Sequence, residues 1–134
     1  MSTEPSAETE DVARVVMDAA FTVHRALGPG FVESVYEEAM AVELERLAVP
    51  FARQLLVPIL YRGTLVGQHR LDMLVADCLV VEIKAVPSAT PPQHLAQIIS
   101  YLKATERDLG LLLNFGLPTM SAGFKRVVRS SLTN

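Results

Sequence analysis

Three charged side chains stand inside two oily runs. Leu71 to Val86 reads L-D-M-L-V-A-D-C-L-V-V-E-I-K-A-V, with Asp72 opening the first run and Glu82 and Lys84 near the end of the second. Enrichment in Val and Ile predicts two strands, and the short link around Ala76-Asp77 predicts a tight turn between them. Glu82 and Lys84 are two apart and share one face of a strand, while Ile83 faces the other way. Where Asp72 falls depends on the register. A two-residue link sets it opposite Val81, and a three-residue link, Ala76 to Cys78, sets it opposite Glu82. In the second register two carboxylates and an ammonium meet at one end of the hairpin. Carboxylates are the ligands that Mg²⁺ takes, and a lysine beside them is a point charge suited to a phosphate or a developing anion. The competing reading is an edge hairpin whose polar face meets water. Leu74, Val75, Leu79, Val80, Val81 and Ile83 argue instead for a central position, where charge is costly unless compensated.

Composition bounds the rest. The chain has 134 residues, half of them hydrophobic and a fifth charged. That is one ordinary globular domain, expected at residues 10–129, with tails at 1–9 and 130–134. The net charge of −3 gives no overall pull toward nucleic acid and leaves room for a local basic patch. The lone Cys78 reads as a small buried hydrophobe, and there is no Cys/His cluster for zinc. The polar, acidic start is unlike a signal peptide, and no apolar run reaches membrane-spanning length, so a cytoplasmic protein with no membrane partner is expected.

Several elements must position the charged residues. Glu10 to Leu27 has apolar residues at helical spacing, and Gly28-Pro29-Gly30 stops it. Phe31 to Leu47 predicts a second helix with a stripe of Val32, Val35, Tyr36, Ala39, Met40, Leu44 and Leu47, and with Glu37 and Glu38 outside it. Periodicity alone makes Glu33, in its first turn, a dipole partner. Gln54 to Tyr61 predicts a strand, at an edge or bulged because of Pro58, and Thr64 to Val75 predicts its return. Cys78 to Val86 completes an antiparallel meander. Gln93 to Ala104 predicts a helix on which Gln97 and Tyr101 share a face. Leu109 to Phe115 predicts a central strand parallel to the meander's last one, with that helix as the crossover, and Phe124 to Val128 a last strand or edge extension. The fold class expected is α/β, with a mixed central sheet and flanking helices.

Asp72, a gap of nine residues, and then Glu82-x-Lys84 resembles the signature of the PD-(D/E)XK nuclease superfamily, with Leu71 where a proline is usual. The superfamily's restriction-endonuclease-like core of helix, meander, crossover helix and strand is similar to the order from Phe31 to Phe115. Gly30-Phe31-Val32-Glu33-Ser34-Val35-Tyr36 resembles the defining motif of the GxxExxY proteins, small members of that superfamily. The likeness covers about Ala13 to Arg129 and favours the register that joins Asp72 to Glu82.

The resemblance implies that Asp72 and Glu82 hold Mg²⁺ or Mn²⁺, with the Ile83 carbonyl and Glu33 completing the shell. It implies that Lys84 assists the attacking water or the transition state. Gln97 and Tyr101 are similar to the Q-x-x-x-Y element of RecB-like nucleases and would contact water or substrate phosphate. His94 would touch phosphate or simply cap local structure, and Tyr36 would orient a site carboxylate or simply pack. The glutamate usual after that histidine is Leu95 here. Arg70, with Arg53, Arg62 and His69, is the nearest candidate for backbone contact. Lys103, Arg107, Lys125, Arg126 and Arg129 could form a second patch, and the competing reading of most of these charges is solvated surface.

A metal-dependent nuclease acting on DNA or RNA is the function implied. The alternative is a catalytically inactive, nuclease-like accessory module that binds metal, nucleic acid or a protein partner supplying specificity. A homodimer is expected of a domain with so little surface to grip a duplex.

Overall fold

Ser6 opens the first helix, its hydroxyl accepting a hydrogen bond from the Thr9 N–H at 3.1 Å. The computed structural model describes residues 4–129. Helix α1 spans Ala7–Leu27, so the expected tail over residues 1–9 is too long: Thr9 is already buried in the helix. The tail expected at 130–134 lies outside the described residues. Gly28, at φ +69°, ends α1, in a region that only glycine enters without strain.

Helix α2 spans Glu33–Arg46 and departs from its expected stripe. Val32 and Leu47 are its two caps and are 68% and 51% exposed. Tyr36, Glu37, Met40, Ala41 and Leu44 are the buried face. Glu37 is buried because β1 (Phe51–Tyr61) reaches it: Arg53 Nε and Gln54 Nε2 donate to its two oxygens at 3.0 and 2.7 Å.

Strand β2 spans Thr64–Val75, β3 Leu79–Lys84, α3 Pro92–Thr105, β4 Leu109–Asn114, α4 Met120–Gly123 and β5 Phe124–Val128. The five strands lie side by side in chain order. Neighbours are antiparallel except β3 and β4, which are parallel and joined through α3. The meander, the crossover and the edge placing of the Pro58 strand are therefore as the sequence indicates, and Phe124–Val128 forms the far edge.

Both faces are covered, which is why β3 and β4 read as continuous apolar runs. On one face α1 and α2 bury Met73, Val81, Ile83, Leu111 and Leu113. On the other, Ile98, Tyr101 and Leu102 of α3 bury Leu71, Leu74, Val80 and Leu112. Among the described residues no helix is long and apolar enough to cross a membrane.

Asn114, wholly buried at the end of β4, ties the two parallel strands together beyond their ladder. Its Oδ1 accepts from the N–H groups of Val86 and Gly116, each at 3.0 Å, and its Nδ2 donates to the Ser88 carbonyl at 3.2 Å. Gly116 must be glycine there, because a Cβ would meet the Val86 carbonyl oxygen at 2.3 Å. Asn114→Ala takes the acceptor from two half-buried N–H groups and should cost about 1–3 kcal/mol in urea denaturation, whereas Lys125→Ala on the exposed edge should cost less than about 0.5 kcal/mol.

Candidate active site at the open end of the central hairpin

The link between β2 and β3 is Ala76 to Cys78, with Ala76 and Asp77 at φ +51° and +57°. Arg107 fastens that turn, donating to the Asp77 carbonyl and carboxylate at 2.8 Å each. The pairs run Val75–Leu79, Leu74–Val80 and Met73–Val81. The next step of this register sets Asp72 against Glu82.

At that step side chains take over from the backbone ladder. The Asp72 N–H donates to Glu82 Oε1 at 3.2 Å, and the Ile83 N–H donates to Asp72 Oδ2 at 2.8 Å. Each acid thus binds the backbone of the opposite strand. Because the N–H and C=O of one strand residue lie on the same edge, the Ile83 carbonyl also opens toward Asp72.

The strand on the other side gives way at the same level. Gln54 sits at φ +52° and pairs with nothing, although Arg53–Met73 and Leu55–Leu71 pair on either side of it. The hairpin changes sidedness there. Leu55, Val57, Ile59 and Leu71 pack toward α3, whereas Phe51, Met73 and Val75 pack toward α1 and α2. Asp72 is at the crossing point.

Glu82 is only 3% exposed, and burial pushes its carboxyl up to about 8. The charge of Asp72 and a carboxyl–carboxyl hydrogen bond add to the rise, while the Asp72 N–H and Lys84 oppose it. Lys84 forms no ion pair among the described residues. Tyr101, nearly buried on α3, is pushed up to about 12 by burial and by Glu82 and Asp72, so its hydroxyl keeps its proton at neutral pH. His94 is held below its ordinary value by burial and by Lys84, with Glu33 pulling the other way. Its Nδ1 is buried without a hydrogen-bond partner. Asp72, Glu82, Lys84, Tyr101, His94 and Glu33 are therefore linked through one electrostatic neighbourhood.

The residues expected at the site divide. Asp72 and Glu82 are joined directly, with Ile83 beside them; Tyr101 of α3 feels both acids, and His94 of α3 feels Lys84 and Glu33. Gln97 is half-buried one turn before Tyr101. Glu33 is exposed at the start of α2, and it makes no three-carboxylate cluster with Asp72 and Glu82: no three His, Cys, Asp or Glu side chains converge on a metal-sized site among the described residues.

Tyr36 is elsewhere. Fully buried, it donates to the Gly28 carbonyl at 2.6 Å, accepts from the Phe31 N–H at 3.1 Å and stacks on Phe115 at 4.6 Å. Its hydroxyl closes the glycine-rich loop and is engaged by backbone groups there rather than by Asp72 or Glu82. Arg70 pairs with Leu56, on the face of the hairpin turned away from α3, and not with the site. Arg107, Arg126 and Arg129 bind Asp77, Glu10 and Asp108, which removes them from the expected second patch.

Sequence reasoning missed Asn114 and the Gln54 kink. The only signal for Asn114 was a polar residue ending an apolar run, and Gln54 carried none.

Two carboxylates and a carbonyl are hard oxygen donors brought to one place. The set suits Mg²⁺ or Mn²⁺, which take one or two protein carboxylates and complete their shell with water or phosphate.

A superfamily model described as PD-(D/E)XK nuclease superfamily matches residues 10–127, and the chain belongs to that superfamily. A protein described as indole-3-glycerol phosphate synthase, from Geobacillus thermodenitrificans (strain NG80-2), is 30% identical over 118 residues, which are 87% of this chain and 45% of that protein. The chain thus spans less than half of that relative's length. No solved structure matches it.

Because the folded state raises Glu82 from 4.5 to about 8, it retains a proton across that window that the unfolded chain releases. The cation-free protein should therefore be most stable below about pH 4.5 with respect to this group and lose on the order of a few kcal/mol as pH rises through about 8. Glu82→Gln should flatten that slope in urea titrations at several pH values. Tyr36→Phe should cost about 1–2 kcal/mol of stability in urea denaturation, because it removes the hydroxyl that bridges the Gly28 carbonyl and the Phe31 N–H.

Proposed function

We propose that the chain is a divalent-cation-dependent phosphodiesterase acting on nucleic acid, that is, a nuclease. The observation that carries this reading is the interlocked pair of buried Glu82 and half-buried Asp72, with the unpaired Lys84 two residues on. A fold that only needed stability would replace such a pair with apolar side chains at little cost. Asp72 and Glu82, with the Ile83 carbonyl, would hold Mg²⁺ or Mn²⁺. When bound, the cation supplies Lewis acidity at a phosphodiester and favours ionised Glu82.

The chain's own residues supply the rest. Lys84 places a positive charge where the phosphorane becomes more negative, with no carboxylate locked onto it. Tyr101 offers a proton-bearing hydroxyl beside the acids. His94, held below its ordinary value by burial and by Lys84, would lend its imidazole to a phosphate or a water only if a small shift of its ring exposed the buried Nδ1. The Asp72 and Glu82 oxygens are fixed by the opposite strand, so little reorganisation is needed when the ion enters.

The test is a pair of measurements on wild type, Asp72→Asn and Lys84→Ala. Calorimetry follows Mn²⁺, and a cutting assay offers single- and double-stranded DNA and RNA with Mg²⁺, with Mn²⁺ and with chelator. Asp72→Asn should lose cation binding and cutting together. Lys84→Ala should keep the cation and lose cutting by about 10²–10³-fold. Full cutting by Asp72→Asn would refute the assignment, and cation binding without cutting by the wild type would make this a binding module.

A further inference from the structure

The hairpin of β1 and β2 is far longer than the sheet it joins. These strands have 11 and 12 residues, and β3 has 6, so the outer half of the hairpin stands beyond the sheet as an arm. From Phe51 to Leu71 the chain carries Arg53, Arg62 and Arg70 and no acid. Leu60 and Tyr61 near the tip are each 63% exposed, and the Arg62 guanidinium lies 5.7 Å from the centre of the Tyr61 ring.

Between this arm and the last turns of α3 lies an open groove of about 630 Å³. Its walls include Ile59 and Leu60 of β1, His69 of β2, and Ser100, Lys103 and Glu106 on and just after α3. At its inner end the His69 ring meets Tyr101 edge-on, with centres 5.2 Å apart. Tyr101 in turn feels the charges of Glu82 and Asp72. The groove therefore runs toward the acid pair with two aromatic side chains at the boundary.

Charge and shape select the occupant. Among the described residues Lys103 and Arg62 form no ion pair, while Arg53, Arg107, Arg126 and Arg129 each bind a carboxylate. The groove thus offers a free cation, a flat imidazole and apolar walls, and the arm tip adds an exposed phenol ring. Positive charge together with stacking faces is the chemistry that holds single-stranded nucleic acid. The volume lies in the range of about 300–1,000 Å³ that fits a small organic molecule, enough for a nucleotide and too small for the body of a duplex. Glu106 also lines the groove, and its carboxylate disfavours a phosphate next to it, which leaves the phosphate to Lys103.

We infer that the groove between the β1–β2 arm and α3 is a binding site for single-stranded DNA or RNA, leading a strand past His69 and Tyr101. A base packs against Leu60 and His69, and a phosphate meets Lys103. This rests on reading Asp72, Glu82 and Lys84 as a phosphodiester site.

The experiment separates binding from cutting by working in chelator. Fluorescence anisotropy follows a labelled oligothymidylate, a labelled oligouridylate and a labelled hairpin duplex on wild type, Lys103→Glu, Leu60→Asp and Lys125→Glu. Lys125 is an unpaired, exposed cation on the opposite sheet edge, so its variant makes the same charge change away from the groove. Leu60 and Lys103 are exposed, so the fold tolerates both changes. Single strands should bind more tightly than the duplex. Lys103→Glu and Leu60→Asp should each weaken them by at least about fivefold, and Lys103→Glu should lower the slope of log affinity against log salt by about 0.7. Lys125→Glu should do neither. Equal or tighter duplex binding, no binding at all, groove variants that bind as wild type does, or an equal effect of Lys125→Glu would each overturn the inference. Cutting assays with Mg²⁺ keep the two readings apart. Groove variants that bind and cut like wild type would remove the groove and leave the nuclease. Weakened binding by groove variants of a protein that never cuts would remove the nuclease and leave the groove.

Discussion

Two carboxylates on adjacent strands each bind the other strand's backbone, and most of the arrangement follows from that exchange. The Asp72 N–H goes to Glu82 and the Ile83 N–H to Asp72. The bonds satisfy backbone groups that the ladder leaves open beyond Met73–Val81. They also set half-buried Asp72 against buried Glu82, where burial and the neighbouring acid hold Glu82 protonated well above the carboxylate range. The cost is a local one, and the surrounding sheet is what sustains it.

The rest of the fold keeps that place rigid. α1 and α2 seal one face of the sheet and α3 the other, so β3 enters the site from a strand buried on both sides. Arg107 fixes the turn at one end of the β2–β3 hairpin, and Asn114 fixes the departure of the chain after Lys84 at the other. Tyr36 does similar work at a distance, closing the loop before α2 with its hydroxyl and stacking its ring on Phe115. Its role is mechanical.

The charge balance of the molecule is uneven in a useful way. A chain of net charge −3 neutralises several of its arginines internally, through Glu37, Glu38, Asp77, Glu10 and Asp108. Lys84 and Lys103 stay unpaired on the side of the sheet that α3 covers, and Arg62 at the tip of the arm. An acidic protein can therefore present a local positive path without a positive surface overall.

Much of this was legible in the chain. Apolar periodicity located every long helix and strand within a few residues, because burial against a two-faced sheet imposes it. The spacing of Asp72, Glu82 and Lys84 marked the site, and a three-residue link was one of two registers the residues allowed. Other features were decided only by tertiary structure. The turn chose the register through Ala76 and Asp77 at positive φ, fastened by Arg107 from thirty residues away. The stripe expected on α2 held at Tyr36, Met40 and Leu44 and gave way at Val32 and Leu47, which became caps, while Arg53 and Gln54 drew Glu37 inward. Tyr36 looked like a site residue from its spacing to Glu33, but the loop beside it claimed its hydroxyl. Periodicity records which side of an element is buried. Which polar partner meets a buried hydroxyl, amide or carboxylate depends on contacts between segments distant in sequence, and those exist only once the chain is folded.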